Sequence, residues 1–147
     1  RYFRQILEHP ANDFATRVRA AERLLRIGAP AAMDVLDAAL GSGEGDRMRP
    51  VLQAAQTSDA GDRMADVAVE AAATAPDEVM DLLADVIAAA SPQVPPPILA
   101  AARDRSVPLR HRLNAIRVLG AFTSIEAGDA LIELADTTRP MPAFTAA

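Results

Sequence analysis

Apolar residues recur at helical spacing along most of the chain, and one arrangement of them occurs twice. In residues 17–40, Ala20, Ala21, Leu24 and Ile27 precede a break at Gly28, after which Ala32, Leu36 and Leu40 resume. In residues 109–134, Leu113, Ile116, Leu119 and Gly120 stand 92 positions after Ala21, Leu24, Ile27 and Gly28, and Ala127, Leu131 and Leu134 follow. Steps of three and four place such residues on one helix face. Each copy therefore predicts a helical hairpin, a unit that buries its apolar face only by stacking on another.

The remaining pattern fills in the order of elements. A helix over residues 2–8 ends at His9 and Pro10, because the residue before proline avoids helical geometry. Asn12 or Asp13 caps the next, with Phe14, Val18, Ala21, Leu24 and Leu25 inside, and Gly28 closes it. Pro30 opens its partner, where a missing N–H costs nothing. Asp46 caps a short helix in which Pro50 is tolerable only within the first turn. Further helices are predicted from Ser58 or Asp59 to Ala73, and from Pro76 or Asp77 to Ala90. Four prolines between residues 91 and 97 predict an extended elbow, with helix resuming at Ile98. A helix from Val107 or Pro108 to Gly120 follows, and Thr123 with Glu126 reads as a capping box for a last one ending at Asp136.

About nine helices result, which make four hairpins and an incomplete start. The predicted buried stripe is Leu24, Ile27, Leu36, Leu82, Val86, Ile116, Leu119 and Leu131. Within it, truncating Ile116 to Ala is expected to cost on the order of 2 to 5 kcal/mol.

The two hairpin copies resemble HEAT repeats, and more loosely the HEAT-like repeats of bilin lyase subunits and bacterial scaffolds. Leu109 and Arg110 stand where that family typically has Val-Arg, while Val18 and Arg19 lie one place late. The resemblance implies an all-α, right-handed α-solenoid of about four antiparallel hairpins. It also implies a role in protein interaction and supplies no catalytic residue. Residues 1–138 are expected to form one domain, and residues 139–147, with Pro140 and Pro142, a tail or linker.

Composition narrows the chemistry. Half of the 147 residues are hydrophobic, yet only 3% are aromatic and Trp is absent, so an aliphatic core is required. Charged residues interrupt every apolar stretch before the roughly 20 residues that span a bilayer, so no membrane insertion is expected. The compartment stays open between cytoplasmic and exported, since Arg1 in place of methionine suggests removal of an N-terminal segment. With no Cys, and with His9 and His111 lacking partners at ligand spacing, neither a metal nor another cofactor is expected. The glycines from Gly41 to Gly45 lack the lysine and flanking strand of a phosphate loop and read as a turn. No catalytic constellation emerges, and the chain is expected not to be an enzyme.

Charge is distributed unevenly. Residues 50–102 hold eight acids and one base, Arg63, whereas residues 103–117 hold five arginines against Asp104. Asp77, Asp81 and Asp85 recur along one helix face, and Asp59, Asp62, Asp66 and Glu70 form a second acidic line. These lines read as solvated faces, as a patch for a cationic partner, or as a calcium site lacking a recognised loop. Candidate partner contacts are Arg103, Arg105, Arg110 and Arg112 for an acidic protein surface, with Asp77, Asp81 and Asp85 as the opposite patch. Nucleic acid is disfavoured by the net charge of −5 and by the absence of aromatics among those arginines. The expected function is a non-catalytic protein-binding or scaffolding module. The alternatives are an accessory or lyase-like subunit cradling a small ligand or chromophore, and a structural spacer.

Overall fold

A computed structural model describes residues 2–9 and 11–138. Arg1, Pro10 and the proposed tail over residues 139–147 lie outside the described residues. Among those described the chain is all-helical, in the order α1 Tyr2–Glu8, α2 Phe14–Ile27, α3 Pro30–Leu40, α4 Gly45–Thr57, α5 Ala65–Ala71, α6 Asp77–Ala90, α7 Pro96–Arg103, α8 Leu109–Gly120 and α9 Ile125–Thr138. A single 3-10 turn, Gly61–Met64, leads straight into α5.

Local chemistry sets the helix boundaries. Asp13 caps α2, its Oδ1 accepting the Thr16 N–H at 2.7 Å, and Gly28 ends it in the left-handed region at φ 62°. Over Gly28 lies the Arg63 guanidinium, which donates to the Leu25 carbonyl at 2.7 Å and leaves no room for a β carbon. The last helix is capped by Ser124, whose hydroxyl accepts the Ala127 N–H at 3.2 Å, rather than by Thr123. Pro96 and Pro97 occupy the first turn of α7, so helix resumes two residues before Ile98; the first turn needs no amide from either ring. The helix expected from Ser58 or Asp59 to Ala73 is divided into the 3-10 turn and α5, and Gly61 lies so close to the Ala55 carbonyl that a β carbon there would clash.

Pro50 lies well inside α4, at its sixth residue, beyond the first turn. It supplies no N–H to the carbonyl of Asp46 four residues back. Arg17 on α2 replaces the missing donor: one terminal nitrogen donates to Asp46 O at 3.0 Å while Nε donates to Leu7 O at 2.9 Å. One guanidinium thus serves the end of α1 and the proline gap of α4 together.

Packing follows a repeated register. Helix α2 packs on α4, α4 on α6, and α6 on α8, while α3, α5, α7 and α9 attach beside them. The members of the first row begin at residues 14, 45, 77 and 109. Their buried positions recur in columns, as in Ala21, Val51, Leu83, Ala115 and in Leu25, Ala55, Ile87, Leu119, with steps of 30, 32 and 32. Leucine, methionine, isoleucine and alanine fill the interior, with Leu36, Met48, Leu52, Met64, Met80 and Ile98 almost wholly enclosed.

These columns correct the register of the last unit. Leu24 corresponds to Val118, 94 positions on, not to Ile116. Two residues along a helix is a rotation of about 200°, so the buried face of α8 is Asn114, Ala115, Val118 and Leu119. Of the predicted stripe, Leu24, Leu36, Val86 and Leu119 are buried and Leu82, Ile116 and Leu131 half-buried. Ile27 is 55% exposed, on the rim of an apolar dimple of about 350 Å³ with Phe3 and Val35. Phe14 and Leu113 are likewise exposed.

Candidate functional site

Between α5 and α7 lies a groove whose shape follows from the proline elbow. The prolines at 92 and 95 bound a stretch that continues neither α6 nor α7, so the chain crosses there in extended form. Val94 from this stretch is buried, while the rings of Pro95, Pro96 and Pro97 form one wall. Opposite stand Asp66, Val69 and Glu70 of α5, with Ile98 and His111 closing the end. The cavity measures about 640 Å³, and a second of about 680 Å³ shares Asp66, Val69, Pro95 and Pro96 with it as lining. That second part runs past Leu99 and Ala100 to Arg103 and Glu126.

Its lining is largely apolar, and its charge is one-sided. Asp66 and Glu70 sit four residues apart on α5, where like charges repel. Neither makes an ion pair among the described residues. Arg103 at the far end is engaged by Glu133 of α9 at 3.1 Å.

Glu70 also acts across the α3–α5 contact. Asp37 on α3 is half-buried, and its Oδ1 is enclosed with no donor. Burial pushes the Asp37 carboxyl above its ordinary range, and the negative charges of Asp34 and Glu70 push it the same way. A carboxyl raised in the folded state binds protons more tightly there than in the unfolded chain. Its contribution is therefore fully present below the unfolded value and is lost as pH rises through the folded one. Asp37→Asn is expected to raise the urea midpoint at pH 7 and to leave it nearly unchanged at pH 3. Equal midpoints for the two proteins at both values would contradict this account of Asp37.

The two charge patches expected from the sequence are partly joined. Asp77, at the start of α6, accepts from Arg110 at 3.1 Å and from Arg117 at 3.4 Å, both on α8. Asp77 thus belongs with the arginines, and Asp81 and Asp85 remain as an exposed acidic stretch of α6. Arg105 is exposed, and Arg112 is half-buried with Nε lacking an acceptor. Asp104 has its carboxyl held below the ordinary range by the Ser106 hydroxyl and N–H, with a smaller contribution from Arg112.

Among the described residues no group of three or more carboxylates and histidines is placed to hold a metal ion, and no helix is long and apolar enough to cross a membrane.

Compared with family models, with curated proteins and with solved structures, the chain matches none.

Sequence reasoning missed the groove as a site. Its signal was present in the four prolines, which link α6 to α7 as the expected elbow and also line the two cavities. Asn114 was missed as well. It is 1% exposed, and its Nδ2 donates to Ala72 O at 2.9 Å and to Ala75 O at 3.0 Å.

Proposed function

We propose that this chain is a non-catalytic protein-binding module, an α-solenoid of HEAT-like hairpins that offers its faces and grooves to a partner protein. The observation that carries the reading is the recurring burial register of α2, α4, α6 and α8, with steps of 30, 32 and 32. A sequence that repeats one supersecondary unit builds an extended surface rather than a single enclosed site. The one-sided charge along the chain gives that surface a direction, since a partner meets acid from α5 and α6 and base from α8.

Arg103, Arg105, Arg110 and Arg112 are the proposed contacts for an acidic partner surface, and Asp81 and Asp85 those for a basic one. The internal pairs of Arg103 and Arg110 are with groups at least half exposed, 57% for Glu133 and 71% for Asp77. Exposed pairs of this kind hold by about 1 kcal/mol or less, so a partner's carboxylate can replace them.

The test is affinity capture with the purified chain, with bound proteins identified by mass spectrometry at two salt concentrations. Raising salt from about 0.1 M to about 1 M shortens the screening length from roughly 10 Å to 3 Å. A specific protein retained at low salt, released at high salt, and bound at least tenfold more weakly after Arg103, Arg105 and Arg112 are changed to glutamate is the expected result. Recovery of no protein above background overturns the reading.

A further inference from the structure

We infer that the groove between α5 and α7 is a peptide-docking site for an extended segment carrying an arginine or lysine between aliphatic or proline residues. In this arrangement the cation lies between Asp66 and Glu70, and its neighbours rest on Val69, Pro95 and Pro96. The inference rests on the protein-binding reading and specifies one surface and the chemistry of its ligand.

Three features of the groove lead to this occupant. First, its lining is largely apolar and open to solvent, and a second cavity bordered by Leu99 and Ala100 of α7 lies beside it, sharing Val69, Pro95 and Pro96. An open trough of this form suits a chain segment better than a compact molecule. Second, the elbow walls it with three proline rings, which offer flat apolar surface and no amides. A bound segment is therefore held by its side chains and not by added strand pairing.

The third feature is charge complementarity. Asp66 and Glu70 repel each other across one helical turn and have no base among the described residues. The negative field extends to Asp37, whose carboxyl is further disfavoured as an anion by Glu70. A guanidinium or ammonium placed between Asp66 and Glu70 relieves that repulsion and makes charge-assisted hydrogen bonds to both. An acidic segment meets the opposite, like charge at Asp66 and Glu70 on α5. The α9 carboxylates Asp129 and Asp136 are likewise exposed but border none of these cavities, which makes them the natural control.

The probe is a set of fluorescein-labelled nonapeptide pools of mixed aliphatic residues and proline, with the central position fixed as Arg, Lys, Gln or Glu. Binding is followed by anisotropy, and the site by amide chemical shifts in nitrogen-15 spectra. Pools fixed as Arg or Lys are expected to bind at least tenfold tighter than those fixed as Gln or Glu, with shifts centred on Val69, Glu70, Ile98 and Leu99. The double variant Asp66→Asn, Glu70→Gln is expected to abolish the preference, and Asp129→Asn, Asp136→Asn to keep it. Both are exposed replacements, and unchanged circular dichroism and Tm certify their folds.

No binding by any pool, equal binding by all four, or a preference that survives loss of the α5 carboxylates overturns the inference. If the captured partner is still retained by the Asp66→Asn, Glu70→Gln protein, the groove proposal falls while the binding-module reading stands. If capture recovers no protein, that reading falls whatever the pools show.

Discussion

Asn114→Ala is expected to lower stability by on the order of 3 kcal/mol, a fall in Tm of about 10 °C for a chain of this size. The side chain is the polar tie between α8 and the turn that joins α5 to α6. Its Nδ2 reaches both Ala72 O and Ala75 O, and the residue is 1% exposed. Truncation leaves two carbonyls facing a small void, and each buried acceptor left without a donor costs about 1 to 3 kcal/mol. Asn114→Asp is expected to be worse at neutral pH, since it sets a carboxylate against two carbonyl oxygens. Part of that loss should return in acid, where the protonated carboxyl donates again. By contrast Leu113→Ala, on a side chain 51% exposed, is expected to change stability by under about 1 kcal/mol. Thermal melts followed at 222 nm decide the matter, and a Tm shift for Asn114→Ala smaller than that for Leu113→Ala removes Asn114 from this role.

The contrast between those neighbours explains how far the sequence could be read. Along α8 two stripes compete at helical spacing, one through Leu109, Leu113 and Ile116, the other through Ala115, Val118 and Leu119. Hydrophobicity alone favours the first, because the second begins beside a polar asparagine. The fold takes the second, since Asn114 finds two carbonyl partners that only the tertiary arrangement provides. Ile116 is accordingly half-buried, and its truncation is expected to cost less than the 2 to 5 kcal/mol of an enclosed residue.

Where the signal is local, sequence and structure agree. Asp13, Gly28 and Pro30 mark the ends of α2 and the start of α3, because caps and breakers act within a few residues. The strongly periodic α6 matches over Asp77–Ala90. Readings that depend on distant residues diverge. The groove needs α5 and the elbow to face each other across about 30 residues of chain, and no spacing rule encodes that. Arg110 and Asp77 were legible as charges but not as a pair, since their contact depends on α6 packing against α8.

The proline inside α4 supplies the sharpest test of the packing between α1, α2 and α4. A helix-interior proline removes one hydrogen bond and, left uncompensated, costs about 3 kcal/mol. Arg17 offsets part of that cost by donating to Asp46 O, the acceptor that Pro50 leaves without its intrahelical donor. Its Nε holds Leu7 O at the same time. Replacing Arg17 with methionine keeps an unbranched stem while removing both donors. The expected loss is about 2 kcal/mol, below the roughly 3 kcal/mol minimum for two charged hydrogen bonds because the outer one is exposed. In a Pro50→Ala background, residue 50 has an N–H that can reach Asp46 O, and the guanidinium is needed only at Leu7. Arg17→Met is then expected to cost about half as much, a coupling of about 1 kcal/mol between two residues with no direct bond. Urea denaturation of the wild type, both single variants and the double variant measures the coupling. Additivity within about 0.3 kcal/mol means that Arg17 acts through α1 alone and that α4 accommodates Pro50 unaided. A coupling near 1 kcal/mol identifies the guanidinium as the group that lets a proline remain inside the second helix of the packed row.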